Sequence, residues 1–215
     1  MKRLTAIILA ITMVLVVYAH ADAKLCDVEI KFRDLEWGCN IDEAVDNIYE
    51  EGMWNTDIEE DQDVHYLVYS VSVDKSAFQY APIPDNMFVA GHLVSQVCVE
   101  AMYGIVDGKV SKEPVNSKLY KGTYYFETTE NTQEIYDDLV GKLSGLYGEP
   151  IVNNETYSDY SLMWCGQNDS AAVIHFNDGE YPSLRLEYWD LGCYDDIVEM
   201  QKVAYVSDID SIDGL

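Results

Sequence analysis

The amino-acid sequence predicts an α+β fold: two antiparallel sheet meanders, each preceded by an amphipathic helix that packs on one face. Three observations carry this. Two segments place apolar residues at helical spacing behind a capping pattern, at Asn40 to Tyr49 and Asn131 to Leu146. Several other segments alternate apolar and polar side chains with period two, between polar turns of hairpin length. Nearly half of the residues are hydrophobic and 17 are tyrosines, enough apolar surface to bury despite the high charge.

In chain order, Lys2 and Arg3 precede an uncharged run from Leu4 to Tyr18, and Ala19-His20-Ala21 puts small residues at the −3 and −1 positions of a cleavage site. This is the pattern of a secretory signal peptide over residues 1–21. The run is shorter than the roughly 18 to 20 residues that cross a bilayer, which disfavours an uncleaved anchor. Ala21-Asp22-Ala23 is an alternative cleavage site, and Asp22-Ala23-Lys24-Leu25 is a poor lead-in for a lipid-modified Cys26. The expected localisation is secreted or extracytoplasmic, with no membrane insertion after cleavage.

Val28 to Trp37 begins with strand-like alternation and turns at Gly38. Asn40 and Glu43 then form a capping box for a helix whose inner face is Ile41, Ala44, Val45, Ile48 and Tyr49, ending at Gly52. Asp57 to Asp63 is an acidic loop, Val64 to Val73 a strand, and Ala81 to Asn86 a turn-rich break. Met87 to Val106 is too long for one average strand and predicts one bent strand, or two joined near Gly91 or Gly104. Gly108 marks a hairpin, and Leu119 to Thr128 returns with Tyr120, Gly122, Tyr124 and Phe126 alternating against Thr123 and Tyr125.

Asn131 and Glu134 open the second helix, with Ile135, Leu139, Leu143 and Leu146 on its inner face, and Gly148 and Pro150 close it. Strands are predicted at Tyr160 to Cys165, Ala171 to Phe176 and Leu184 to Trp189, followed by a last exposed helix at Asp195 to Tyr205. The domain plan is a signal peptide at 1–21, one α+β domain at 22–206 and an acidic tail at 207–215. Within the domain, 28–128 and 129–206 read as halves of a duplicated unit, without residue-by-residue identity between them.

Removal of the signal leaves 194 of the 215 residues and 39 acidic against 11 basic side chains, a formal charge of −28. Such a surface repels nucleic acid and anionic membranes and suits cations or a protein or cell-surface component as partner. All five cysteines, Cys26, Cys39, Cys98, Cys165 and Cys193, lie beyond the signal, where export permits oxidation. The preferred disulfide is Cys165–Cys193, which flank the last run of strands. No C-x-x-C or H-x-x-x-H spacing points to a metal site.

Several local signatures carry a resemblance. Trp37-Gly38 with Ile41-Asp42-Glu43-Ala44-Val45, Leu146-Tyr147-Gly148-Glu149-Pro150, Leu162-Met163-Trp164-Cys165 and Asp213-Gly214-Leu215 resemble uncharacterised secreted proteins and lipoproteins of Gram-positive bacteria. A glycine before a helix bearing Glu-x-Val, and Gly-x-Pro after a helix, are more distantly similar to exported modules of the β-lactamase-inhibitor and SmpA/OmlA type. In this chain the two signatures stand on different helices, a departure from that pattern. The resemblance implies a protein that binds other proteins and catalyses nothing.

Catalytic signatures are sparse. No G-x-S-x-G elbow occurs, and Ser70 and Ser72 fall in a predicted strand. Cys98 or Cys165 with His92 or His175 would make a Cys–His site only if the fold brought them together. His65, His92 and His175 stand singly on strands and read as ordinary sheet residues. Trp54, Trp164 and Trp189 suit sugar stacking or, more simply, the core. The runs Asp57–Asp63 and Asp208–Gly214 offer oxygen ligands without EF-hand spacing. Asn154-Glu155-Thr156 and Asn168-Asp169-Ser170 are glycosylation acceptors in a host that modifies such sites. The sequence therefore assigns no catalytic residue, cofactor or metal ligand. It points to an exported, non-enzymatic binding protein, with a secreted hydrolase using a cryptic carboxylate or Cys–His site, or a calcium-dependent surface adhesion module, as alternatives.

Overall fold

A computed structural model describes residues 25–50, 77–80, 87–129, 131–156 and 159–193. Within them the chain is α+β. Helix α1 spans Ile41–Glu50 and helix α2 spans Thr132–Tyr147. Strands β1 (Ala77–Tyr80), β3 (His92–Met102), β6 (Lys118–Phe126), β10 (Ser183–Asp190), β9 (Ser170–Asn177), β8 (Asp159–Cys165) and β7 (Ile151–Thr156) lie side by side in that order, all antiparallel. A short strand β2 (Phe88–Val89) pairs with the start of β3. Strands β4 (Gly104–Val106) and β5 (Lys109–Ser111) form a separate hairpin.

Both helices pack near the sheet, α1 against β3 and β6, and α2 against β8 and β10. The capping box of α1 forms as its sequence predicts: Glu43 N donates to Asn40 Oδ1 at 2.9 Å, and Asn40 Nδ2 donates to Glu43 Oε2 at 3.4 Å. Ile41, Ala44 and Ile48 are buried. In α2 the cap differs from expectation. Asn131 makes no side-chain cap bond; Thr129 and Thr132 join instead, with Thr129 N donating to Thr132 Oγ1 at 2.9 Å. Leu139 and Leu143 are buried, but Leu146 is 70% exposed. The buried stripe advances in steps of four, from Ile135 through Leu139 and Leu143, and so reaches Tyr147, which packs on the core and leaves Leu146 outside.

Residues 28–37 form no strand. Only Glu29 makes an isolated bridge, to Gln167, because side chains take over the backbone groups of this segment. Ser170 Oγ accepts from Ile30 N at 2.8 Å, and Trp37 Nε1 donates to Ile30 O at 2.9 Å. The segment nevertheless supplies the core with Ile30 and Phe32, both fully buried. Phe32 lies over Gly122, with Tyr124 at 4.9 Å and Tyr188 at 5.9 Å between ring centroids.

The long apolar run breaks at both of its glycines. Ala90-Gly91 makes a two-residue turn with both φ positive, at 53° and 90°, and Gly104 begins the β4–β5 hairpin, whose Asp107-Gly108 turn has the same character. Strand β7 lies outside the sequence pattern, since Asn153-Asn154-Glu155-Thr156 carries no apolar alternation; among the described strands it is an edge. The segments at 57–63, 64–73, 81–86, 195–205 and 207–215, together with Gly52, Trp54, His65, Ser70 and Ser72, lie outside the described residues. Among the described residues no helix is long and apolar enough to cross a membrane.

Candidate functional site

The two faces of the sheet differ. Val97, Val99, Tyr124, Leu184, Leu186, Ile174, Phe176 and Trp164 point to the helices and make the core. The register places a different set on the opposite face, in three rows across the central strands. Gln96, Tyr125, Arg185, His175 and Ser161 form the first row; Cys98, Thr123, Glu187, Val173 and Met163 the second; Glu100, Lys121, Trp189, Ala171 and Cys165 the third.

Two bulges set this arrangement. Strand β6 gains one residue where Glu100 pairs with Lys121 but Ala101 pairs with Leu119. The extra residue, Tyr120, reverses the alternation, so Leu119 enters the core while Tyr120 and Lys121 both face Glu100. The simple alternation read from the sequence, with Tyr120 beside Gly122 and Tyr124, is corrected here. The second bulge, at Ser95, lets Val94 face the core and Gln96 the other side; Ser95 Oγ donates to Tyr125 O at 3.1 Å.

Glu187 is the centre of the polar face. Its carboxylate is met by Arg185 Nε at 2.9 Å, Trp189 Nε1 at 3.0 Å, His175 Nε2 at 3.2 Å and Lys121 Nζ at 3.6 Å. Lys121 also reaches Glu100 at 3.1 Å, sits 4.4 Å from the centroid of the Trp189 ring, and shares Glu100 with the Tyr120 hydroxyl at 2.9 Å. Burial pushes the Glu187 carboxyl up, but the His175 bond and the Lys121, His175 and Arg185 charges outweigh it and hold the group at about 2. Burial pulls the Lys121 ammonium down, and Glu187 and Glu100 more than compensate, leaving it raised. The Thr123 hydroxyl, fully buried between Cys98 and Glu187 in the register, has no hydrogen-bond partner among the described residues.

This arrangement suits fixed charge better than proton transfer. A carboxyl held near pH 2 is a poor general acid at neutral pH, and each oxygen of Glu187 is already engaged. The sequence-level Cys–His pairings are not assembled. His92 bonds Asp138 through Nε2 at 2.6 Å, at the far end of β3 from Cys98. His175 bonds Glu187 and stands three strands from Cys98, about 14 Å at ordinary strand spacing. Cys165 is half-buried, with its thiol raised by burial and by Cys26. Trp164 is a core residue whose Nε1 donates to Gly148 O at 3.0 Å.

The predicted disulfide is overturned. No two of the five cysteine sulfurs are at bonding distance. Cys193 lies three residues beyond the end of β10, and the chain there runs toward β3, whereas Cys165 ends β8 on the other side of β9 and β10. Cys193 packs instead with Met102 and Tyr103. Among the described residues no group of three or more His, Cys, Asp or Glu is arranged to hold a metal ion.

Glu100, Lys121, Arg185 and Glu187 were not singled out by motif. Their signal is charge inside a buried strand: Glu100 interrupts Val97-Cys98-Val99 and Ala101-Met102, and Arg185 and Glu187 alternate with Leu184 and Leu186. No family model, curated protein or solved structure matches the chain.

Proposed function

We propose that the chain is an exported binding protein that acts without catalysis, recognising a protein or cell-surface component. The observation that carries this reading is the saturation of Glu187: the place where titratable side chains converge is closed upon itself by hydrogen bonds from Arg185, Trp189 and His175 and by the Lys121 ammonium. A hydrolytic centre needs a group free to give or take a proton beside a nucleophile. The buried network has the character of a specificity device that fixes the sheet in one register. Export rests on the basic and apolar pattern of residues 1–21.

We also read the domain as a duplicated unit, in keeping with the resemblance to secreted proteins and small exported binding modules. What supports this is that each half contributes a helix and a set of antiparallel strands, and that β6 of one half pairs with β10 of the other at the sheet centre.

The test is to incubate the mature chain with glycan, peptide and ester substrates, and with immobilised surface proteins and cell-wall material. Saturable binding without turnover is expected. Turnover abolished by Glu187→Gln or His175→Ala would overturn the reading in favour of the hydrolase.

A further inference from the structure

We propose that Arg185 and His175 form a binding site for the α-carboxylate and last amide group of a peptide C-terminus. This deepens the binding reading above, on which it rests, by naming the chemistry that the polar face recognises.

Arg185 and His175 stand opposite each other on β10 and β9, which puts their Cβ atoms about 5 Å apart on the same face of the sheet. Glu187 aims both side chains. Arg185 gives that carboxylate only its Nε, at 2.9 Å, and His175 only its Nε2, at 3.2 Å. Arg185 Nη1 and Nη2 and His175 Nδ1 make no hydrogen bond among the described residues. The two side chains are 40% and 25% exposed, so a ligand can reach them. The cluster is therefore closed toward Glu187 and open on its outer side. Because the guanidinium is planar and rigid, fixing Nε also fixes the direction of the two free nitrogens. Tyr125 stands opposite Arg185 on β6 and gives a bound terminal side chain an aromatic neighbour.

The free nitrogens select the ligand. The Nη1–Nη2 end of a guanidinium offers two parallel N–H donors, which match the two oxygens of a carboxylate. Glu187, held at about 2, is ionised at neutral pH and only accepts, so the His175 nitrogen that faces it carries the hydrogen. In its neutral form that imidazole leaves Nδ1 as an acceptor. Two donors beside one acceptor complement a carboxylate with an N–H close by, which is the end of a peptide chain. Charge narrows the choice further. Lys121 and Arg185 balance Glu100 and Glu187 within the cluster, on a chain of net charge −26. A singly charged carboxylate is accommodated there more readily than a doubly charged phosphate. Among the described residues no carboxylate other than Glu187 pairs with Arg185; Glu127, exposed just beyond the end of β6, forms no ion pair with it.

The experiment titrates the mature chain with N-acetyl-tetra-alanine, follows the backbone amides and the Arg185 guanidinium by NMR, and repeats the titration with the C-terminal amide of that peptide, with glucuronate and with inorganic phosphate. The expected result is shifts centred on Tyr125, His175 and Arg185, a moved guanidinium resonance, and roughly tenfold weaker binding of the amide. Arg185→Lys keeps the charge and loses the fork, and is expected to weaken binding of the acid peptide about tenfold. Circular dichroism establishes that this variant is folded; should it unfold, the guanidinium resonance of the unsubstituted chain decides alone. Absence of shifts, shifts confined to other residues, or equal binding of acid and amide would overturn the proposal. So would tighter binding of glucuronate or of phosphate than of the acid peptide, which would make a sugar acid or a phosphate the occupant. A response seen only after residues 207–215 are deleted would make the chain's own terminal segment the occupant, with the same consequence. A natural partner bound equally well by Arg185→Lys would remove this site while leaving the binding reading intact; turnover with the acid-peptide shifts in place would remove the non-catalytic reading alone.

Discussion

The ring of Phe32 fills the space that a side chain at position 122 would need: a Cβ built on Gly122 falls 2.2 Å from Phe32 Cγ. A residue from the irregular N-terminal segment thereby seals the middle of the sheet, and only a glycine on β6 admits it. Gly122→Ala is expected to expel the ring and destabilise the fold by about 3 kcal/mol, and Phe32→Ala by about 3 to 5 kcal/mol. Because both remove one contact, the double variant should cost clearly less than their sum, as read from urea midpoints.

Acid should weaken the protein through Glu187. Its carboxyl lies at about 2 when folded, below the ordinary 4.5. A depressed carboxyl contributes stability that is present above about pH 4.5 and is lost as the pH falls toward 2, on the order of 3 kcal/mol for one such group. Asp138, lowered by its bonds to Lys142 and His92, acts in the same direction. Urea unfolding at pH 6 and pH 2.5 should show the loss, and Glu187→Gln should flatten the difference.

Lys121→Met should destabilise by about 3 to 5 kcal/mol, since it leaves Glu100 and Glu187 buried without the ammonium between them. Adding Glu100→Gln should recover part of that loss. A double variant no more stable than Lys121→Met alone would show that Lys121 acts through its packing on Trp189 rather than through charge.

The thiols give a direct check. Alkylation of the unfolded, unreduced chain should label all five cysteines by intact mass, and Cys193→Ser should leave the mass of the remaining species free of any two-dalton deficit. A reductant should not shift the melting temperature.

Much of the fold was legible because its signals are local. The capping pair Asn40 and Glu43, the turn Asp107-Gly108 and the alternation of Leu184, Leu186 and Tyr188 each depend on residues a few positions apart. What escaped depends on pairing across the sheet. The bulge at Tyr120 is defined by β3, so nothing within residues 118–126 reveals that the alternation reverses there. The Cys165–Cys193 expectation failed for the same reason, since the packing of Cys193 against Met102 and Tyr103 follows from the strand order and not from spacing along the chain. The ion network was half visible: charged residues inside apolar strands announce a polar face, but their convergence on Glu187 needs the register.

The pairing of β6 with β10 also fixes when the sheet can be finished. Strand β6 ends at Phe126, and the strand that completes its second edge does not begin until Ser183. A chain emerging N-terminus first thus displays an open β-edge, flanked by apolar side chains, for the whole interval in which α2 and β7 to β9 appear. Closure comes from a contact of long sequence separation, which makes folding comparatively slow and leaves the nascent protein dependent on protection from aggregation until its last central strand arrives.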